Sequence, residues 1–342
     1  WTLYLGSIAL AMAWVHRRGE SAQSYAHMVT LEYSGDKLFA AFQCSGAGAE
    51  GGQGQHLRIA DSTDDGVTWS PSRVVMWSLT PLWAPILHNE ERGLQLYYCE
   101  SRKALSPGGD IKRIESRDGG LSWSPPEIIL AHEEGGGVPK VLANKVARTR
   151  SGSLLLPFWR EPLNSWLEYA HYHPLQENPA SRREPIPSAA PADAPAETRR
   201  GSASVLISED GACTWRVGGE VSDPDTWLIE NTLCETDNGD VLMLFRSGAG
   251  AIYESRSHDG GWSWSQPSAT SLPNPNSKVG MTTVKGSRLA LAYNHSTERR
   301  APLNVAFSDD AGRTWREGPV VEPDPSGNFA YPTPIASKQD DD

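Results

Sequence analysis

A few charged or hydroxylated residues stand at positions where a β-rich chain ordinarily keeps to apolar types. Glu230 opens the stretch 229–236 (IENTLCET), a turn follows at 237–240, and Arg246 closes the apolar run 241–246 (VLMLFR). The pair is either a salt bridge on a solvated strand face or two groups facing a pocket. An arginine ending an apolar strand has little reason to be there unless it meets a partner. Arg299 and Arg300 lie together in the stretch 293–303 (YNHSTERRAPL), as solvated loop residues or as anion ligands. Tyr331 in 328–334 (NFAYPTP) is either a packed strand aromatic or a reactive hydroxyl. Glu50 is the only carboxylate in the loop 43–54, and its glycine neighbours permit movement. Carboxylates exchange protons, a tyrosine hydroxyl can attack carbon, and arginine grips anions through a planar fork.

The elements that must position these residues are announced by a repeat. The pattern S-x-D-x-G-x-[ST]-W occurs five times, ending at Trp69, Trp123, Trp215, Trp264 and Trp315. Its aspartate can accept hydrogen bonds from its own turn, its glycine permits positive φ, and its tryptophan can plug apolar space between sheets. Ala212 replaces the glycine in the third copy. Five acids in one repeated turn cannot all be catalytic, so Asp64, Asp118, Asp210, Asp259 and Asp310 are read as structural. The closing tryptophans are 54, 92, 49 and 51 residues apart. A spacing of about 50 residues is the size of one four-stranded propeller blade. Residues 174–200 fall in the long interval and are rich in Pro, Ala and charge, which predicts a surface insertion there rather than a blade. Alternating runs such as 56–60 and 303–307 precede the repeats, and apolar runs at 37–42, 153–158, 240–245 and 288–293 read as inner strands. The expectation is all-β: a six-bladed β-propeller, residues 1–342 forming one domain of five boxed blades and one unboxed.

These features resemble the sialidase superfamily, whose hairpin turns carry this repeat as the Asp-box. The resemblance covers about residues 25–336 and is similar in detail to BNR-repeat, sialidase-family proteins. It implies a glycoside hydrolase that cleaves a terminal sialic acid or related acidic sugar with retention of configuration. Tyr331 would be the nucleophile, Glu230 its base, and Glu50 the acid that protonates the leaving oxygen. Arg246 and Arg300, with Arg299 as the lesser match, would bind the substrate carboxylate. Lys145, Arg160 and Asn276, in segments shared with the BNR-repeat proteins, would contact a polyhydroxylated ligand. One departure stands out: where sialidases open the first blade with an arginine, this chain reads Ser24-Tyr25-Ala26-His27-Met28. His27 would stand in, or Arg17 or Arg18 would swing in, although an imidazole cannot bind a carboxylate as a fork does. An enzyme acting on another acidic sugar, such as a uronate, and a non-catalytic carbohydrate-binding propeller are the alternatives.

Composition sets the remaining bounds. The formal net charge of −11 argues against a nucleic-acid partner, and the expected partner is an acidic sugar or glycoconjugate. No cofactor or metal is implied, since the four cysteines show no C-x-x-C spacing and read as buried free thiols. The apolar run 1–14 is too short to span a bilayer, and residues 1–18 read as a ring-closing strand or the remnant of a secretory signal. A glycosylation sequon begins at Asn294, which bears on a secreted or endomembrane location.

Overall fold

A computed structural model describes residues 15, 25–46, 50–51, 54–102, 108–134, 137–161, 201–284 and 288–337. All the regular structure among them is β. The predicted insertion at 174–200, the run 1–14, Arg17 and Arg18 lie outside the described residues.

The chain divides into two compact units, Trp1–Val146 with Ile335–Asp342, and Ala147–Pro334. In the first, β1 (Tyr25–Ser34), β2 (Lys37–Ser45), β3 (His56–Ser62) and β4 (Arg73–Met76) pair antiparallel in chain order. The second sheet repeats this meander with β5 (Leu82–Glu90), β6 (Gly93–Ser101), β7 (Gly109–Ser116) and β8 (Glu127–Leu130). A short β9 (Lys140–Leu142) also pairs with β7. The second unit opens with a third meander, of β10 (Ala147–Arg148), β11 (Leu154–Arg160), β12 (Ser202–Ser208) and β13 (Arg216–Val217). The fourth is β14 (Leu228–Glu235), β15 (Val241–Ser247), β16 (Ala251–Ser257) and β17 (Ser268–Pro273). The fifth is β18 (Gly280–Thr283), β19 (Leu289–Asn294), β20 (Leu303–Ser308) and β21 (Arg316–Glu322). The apolar runs legible in the sequence became β2, β11, β15 and β19, the second strand of each sheet, where burial is near complete.

All five copies of the repeat form the turn from the third strand of a sheet to the fourth. In the first, Ser62 Oγ donates to Asp64 Oδ1 (2.7 Å) and accepts from Gly66 N (2.8 Å). Asp64 accepts from Thr68 N (2.8 Å) and Thr68 Oγ1 (2.5 Å). The other four turns reproduce this set at Asp118, Asp210, Asp259 and Asp310. The glycine serves twice. Gly312 has φ +79°, and a Cβ there would run into Leu242 of the preceding sheet. Ala212 accepts φ +66° at the equivalent position, a conformation L-residues rarely adopt. The tryptophans fill the space between sheets. Trp123 packs on Phe39, Leu57, Leu94 and Leu96 from the first two sheets, and Trp315 on Leu242, Leu244, Leu289 and Leu291 from the last two. Trp69 joins a smaller cluster of Val15, Leu31, Leu38, Ala40 and Ile335. Each turn thus pins its own hairpin by hydrogen bonds, and the second and fifth also pin a neighbouring sheet through their tryptophans.

Two sequence expectations change. Cys44, Cys99 and Cys234 are buried free thiols, but Cys213, at the tip of the third turn, is exposed. Asn294 is fully buried, and its Nδ2 donates to Pro302 O (3.2 Å) and Phe329 O (2.9 Å). The sequon asparagine is therefore a structural donor with no access for a glycan in the folded state.

The turns set an acid limit on stability. Hydrogen bonds from the partner hydroxyl and backbone N–H at Thr68, Ser122, Thr214 and Thr314 hold Asp64, Asp118, Asp210 and Asp310 at a pKa of about 2. At Asp259 burial works the other way but is outweighed by the bonds from Ser263, with the same result of about 2. A carboxyl depressed on folding contributes stability above its unfolded value of 3.8 and loses it as pH falls through about 2. Asp259→Ala is expected to lower the melting temperature at pH 7, and the gap to wild type should close as pH approaches 2, read by thermal shift across that range. Burial also lifts the thiols of Cys44, Cys99 and Cys234 to about 11, 12 and 11. A chromogenic disulfide reagent should therefore titrate a single thiol, Cys213, in the native protein and all four after denaturation.

Candidate functional site

The first strands of three sheets share a local device. β1, β5 and β14 each break register, between His27 and Thr30, Trp83 and Ile86, and Ile229 and Thr232. At each break one residue takes positive φ: Met28 (56°), Ala84 (50°) and Glu230 (52°). A β-bulge re-aims a side chain, and a non-glycine residue held at positive φ carries strain of about 1–3 kcal/mol that recurs at functional sites. Met28 and Ala84 are apolar. Glu230 is charged, buried, and aimed at Arg246.

Arg246 comes from β15, paired with Ile229 across the ladder, and is 8% exposed. Its Nη1 donates to both carboxylate oxygens of Glu230 at 3.0 Å and to the Tyr331 hydroxyl at 3.1 Å. Its Nε donates to Asn276 Oδ1 at 2.7 Å. Asn276 has φ +56° in the loop before β18, and its backbone oxygen accepts from Arg300 Nη2 at 2.8 Å. Arg300 lies over the Tyr331 ring, 5.5 Å from guanidinium carbon to ring centre, in cation–π range. Tyr331 itself has φ +61°. Three of the five residues in this cluster, Glu230, Asn276 and Tyr331, therefore hold left-handed backbone. Arg300 is buried beside Tyr331, whereas Arg299 is exposed.

The electrostatics are lopsided toward cations. Burial opposes the charge on Arg246, but Glu230 and then Tyr331 overcome it and raise its pKa. Burial and the neighbouring Arg246 lower that of Arg300, against the pull of Tyr331 and Glu230. Two guanidiniums face one carboxylate. Among the described residues Arg300 Nε has no hydrogen-bond partner, though it is buried. Buried donors without acceptors are a place for an anion to bind.

The remaining candidates have partners of their own. Glu50 accepts from Gln43 Nε2 at 2.9 Å, and the His27 ring lies 5.8 Å from that of Tyr25; both belong to the first unit. In the same unit Lys145 donates to Leu31 O (2.5 Å) and pairs with Glu32 (3.0 Å). Arg160 pairs with Glu220 (3.1 Å) and stacks on Phe158. Sequence reading passed over Lys278, fully buried two residues after Asn276, whose Nζ donates to Pro332 O (2.7 Å) and Thr333 Oγ1 (3.2 Å). No local pattern marks it: Val279 separates it from β18, a strand that reads Gly-Met-Thr-Thr.

A family model described as BNR repeat-like domain matches residues 36–340. No curated protein matches the sequence. A Dyadobacter fermentans protein of unknown function superposes with TM-score 0.68 at 17% identity, covering 90% of this chain and 86% of its own. A Hadza microbial sialidase gives 0.68 at 16% identity, over 88% of this chain and 59% of its own. The Trypanosoma rangeli sialidase in complex with sialic acid gives 0.66 at 13%, over 92% of this chain and 50% of its own. The chain thus spans little more than half the length of these two sialidases.

The Arg246 hub gives a stability test. Removing one partner of a buried ion pair strands the other, at a cost of about 3–5 kcal/mol. Arg246→Met should lower the urea midpoint accordingly, and adding Glu230→Leu should recover most of the loss, since no charge is then left unpaired.

Proposed function

Because the chain belongs to the BNR repeat-like domain family, within the sialidase-like superfamily, we propose that it is a retaining glycoside hydrolase acting on a terminal sialic acid or a related acidic sugar. The observation that carries this is the meeting of the Tyr331 hydroxyl and the Glu230 carboxylate on one guanidinium nitrogen of Arg246, with Arg300 over the phenol ring. The scaffold is read as a six-bladed propeller with Asp-box turns: five four-stranded meanders carry the five turns, and Tyr331 opens the sixth, unboxed blade.

The reaction runs in two steps. The anomeric carbon of a sialic acid bears a carboxylate, which would repel an Asp or Glu nucleophile. A neutral phenol avoids that repulsion, outside the two-carboxylate pattern of most glycosidases. Glu230 takes the phenol proton as the Tyr331 oxygen bonds to the anomeric carbon and the glycosidic bond breaks. A general acid, the part the resemblance gives to Glu50, protonates the leaving oxygen. Water, deprotonated by the conjugate base of that acid, then displaces Tyr331, whose oxygen recovers the proton from Glu230, and configuration is retained. Arg246 and Arg300 hold the substrate carboxylate through the transition state. Asn276 contributes by fixing both arginines, while ligand contact by His27, Lys145 and Arg160 stays an expectation of the resemblance.

A second reading draws on β1. The bulge equivalent to that of Glu230 carries Met28, beside His27, so this strand offers no guanidinium. Two arginines in place of three suit a carboxylate held differently on its ring, as in a uronate, or a propeller that binds acidic sugars without cleaving them.

Tyr331→Phe is expected to lower kcat by several orders of magnitude, because the hydroxyl is gone while the ring still packs. Glu230→Gln should lower it comparably, and the double variant should show no further loss, since both remove one nucleophilic unit. Arg246→Lys should weaken acidic ligands far more than neutral ones. Steady-state kinetics over sialosides and uronosides decides this, and a Tyr331→Phe enzyme with normal turnover would eliminate the covalent mechanism.

A further inference from the structure

The segment that presents Tyr331 has no ladder of its own. Residues 327–334 form no strand, and Pro332 and Pro334 supply no N–H. A catalytic group needs a fixed position, and here the usual means of fixing a strand is absent. Four contacts replace it. Ahead of Tyr331, Phe329 N donates to Arg300 O (2.8 Å) and Asn294 Nδ2 donates to Phe329 O (2.9 Å). After it, Lys278 Nζ donates to Pro332 O (2.7 Å) and Thr333 Oγ1 (3.2 Å). Beside Lys278, Gly280 lets the segment lie directly on the backbone of β18: a Cβ there would come 2.7 Å from Pro332 O and 2.6 Å from Pro334 Cδ.

Lys278 is an expensive way to make two hydrogen bonds. It is 1% exposed, and burial pushes its pKa down to about 7 against the pull of Glu230. A methionine of similar length would fill the space with no desolvation penalty. The ammonium must therefore do something packing cannot, and its bonds go to the two residues that follow Tyr331.

We propose that Lys278 is a positioning residue for Tyr331, clamping the strandless segment so that the phenol stands at Arg246 and Glu230. The proposal rests on the reading of Tyr331 as nucleophile, and its test separates the two. Lys278→Met keeps the stem and removes the donor. Gly280→Ala pushes on the same carbonyl with the ammonium intact, and serves should Lys278→Met fail to fold. Hydrogen exchange of peptides covering 327–334 is expected to speed up by about tenfold or more in either variant, with β15 and β19 peptides unchanged. If the phenol is displaced by about 1 Å, kcat should fall by about 100-fold while KM changes little. Unchanged exchange at 327–334, a rise shared equally by β15 and β19, or a freed segment with normal kcat would each overturn the proposal. Equal turnover by wild type and Tyr331→Phe would instead remove the nucleophile reading, while the exchange data still report whether Lys278 clamps the segment.

Discussion

A guanidinium taken out of water must have its donors met, and much of the second unit is arranged around meeting those of Arg246. Its Nη1 is shared by Glu230 and Tyr331, and its Nε is taken by Asn276. None of these partners stands on regular strand backbone. Glu230 needs the bulge in β14, Asn276 a left-handed loop position, and Tyr331 a segment with no ladder. Each departure costs backbone energy, and each has a hydrogen bond beside it: Asn231 Nδ2 on Ser204 O next to the bulge, Asn274 bridging to Ser277 in the loop, Lys278 behind Tyr331. Local strain concentrated on one ion pair is what a preorganised site looks like from the backbone.

The rest of the fold makes such departures affordable by being repetitive. Five turns of one sequence pattern close five hairpins with the same hydrogen bonds. Their glycines and tryptophans pack into the neighbouring sheet, so stability is distributed over many equivalent joints. The Asp-containing turns lie between third and fourth strands, whereas Glu230 lies on a first strand and Arg246 on a second. Stability and chemistry are therefore carried by different strands, and first-strand positions can change without weakening the joints. Met28, Ala84 and Glu230 illustrate this: one backbone conformation, three unrelated side chains.

What the sequence disclosed follows the range of the forces involved. The repeat is legible because its bonds join residues two to four apart, so the motif contains its own structure. The second strands are legible because burial on both faces demands an unbroken apolar run. Glu230, Arg246 and Tyr331 stand out as polar groups at the ends of such runs, and resemblance supplied their roles. Arg300 could not be separated from Arg299, since the choice depends on a backbone turn that no local pattern encodes. Lys278 and the positive φ of Glu230 were hidden for the same reason: both are answers to contacts made across dozens of residues. Cys213 was misjudged because a preference for burial says nothing of a residue at a turn tip.

The charge arrangement ties the two levels together. Two arginines and one glutamate leave the cluster short of negative charge, and a buried Arg300 Nε is left without an acceptor. A protein does not ordinarily keep an unmatched cation inside unless something else brings the anion. On the proposed reaction that something is the substrate carboxylate, and the same carboxylate explains why the attacking group is a phenol. A second carboxylate in the place of Tyr331 would satisfy the arginines internally and leave nothing for a ligand to do. The neutral hydroxyl keeps the site electrically incomplete, which is what the proposed reading requires of a site for an acidic sugar.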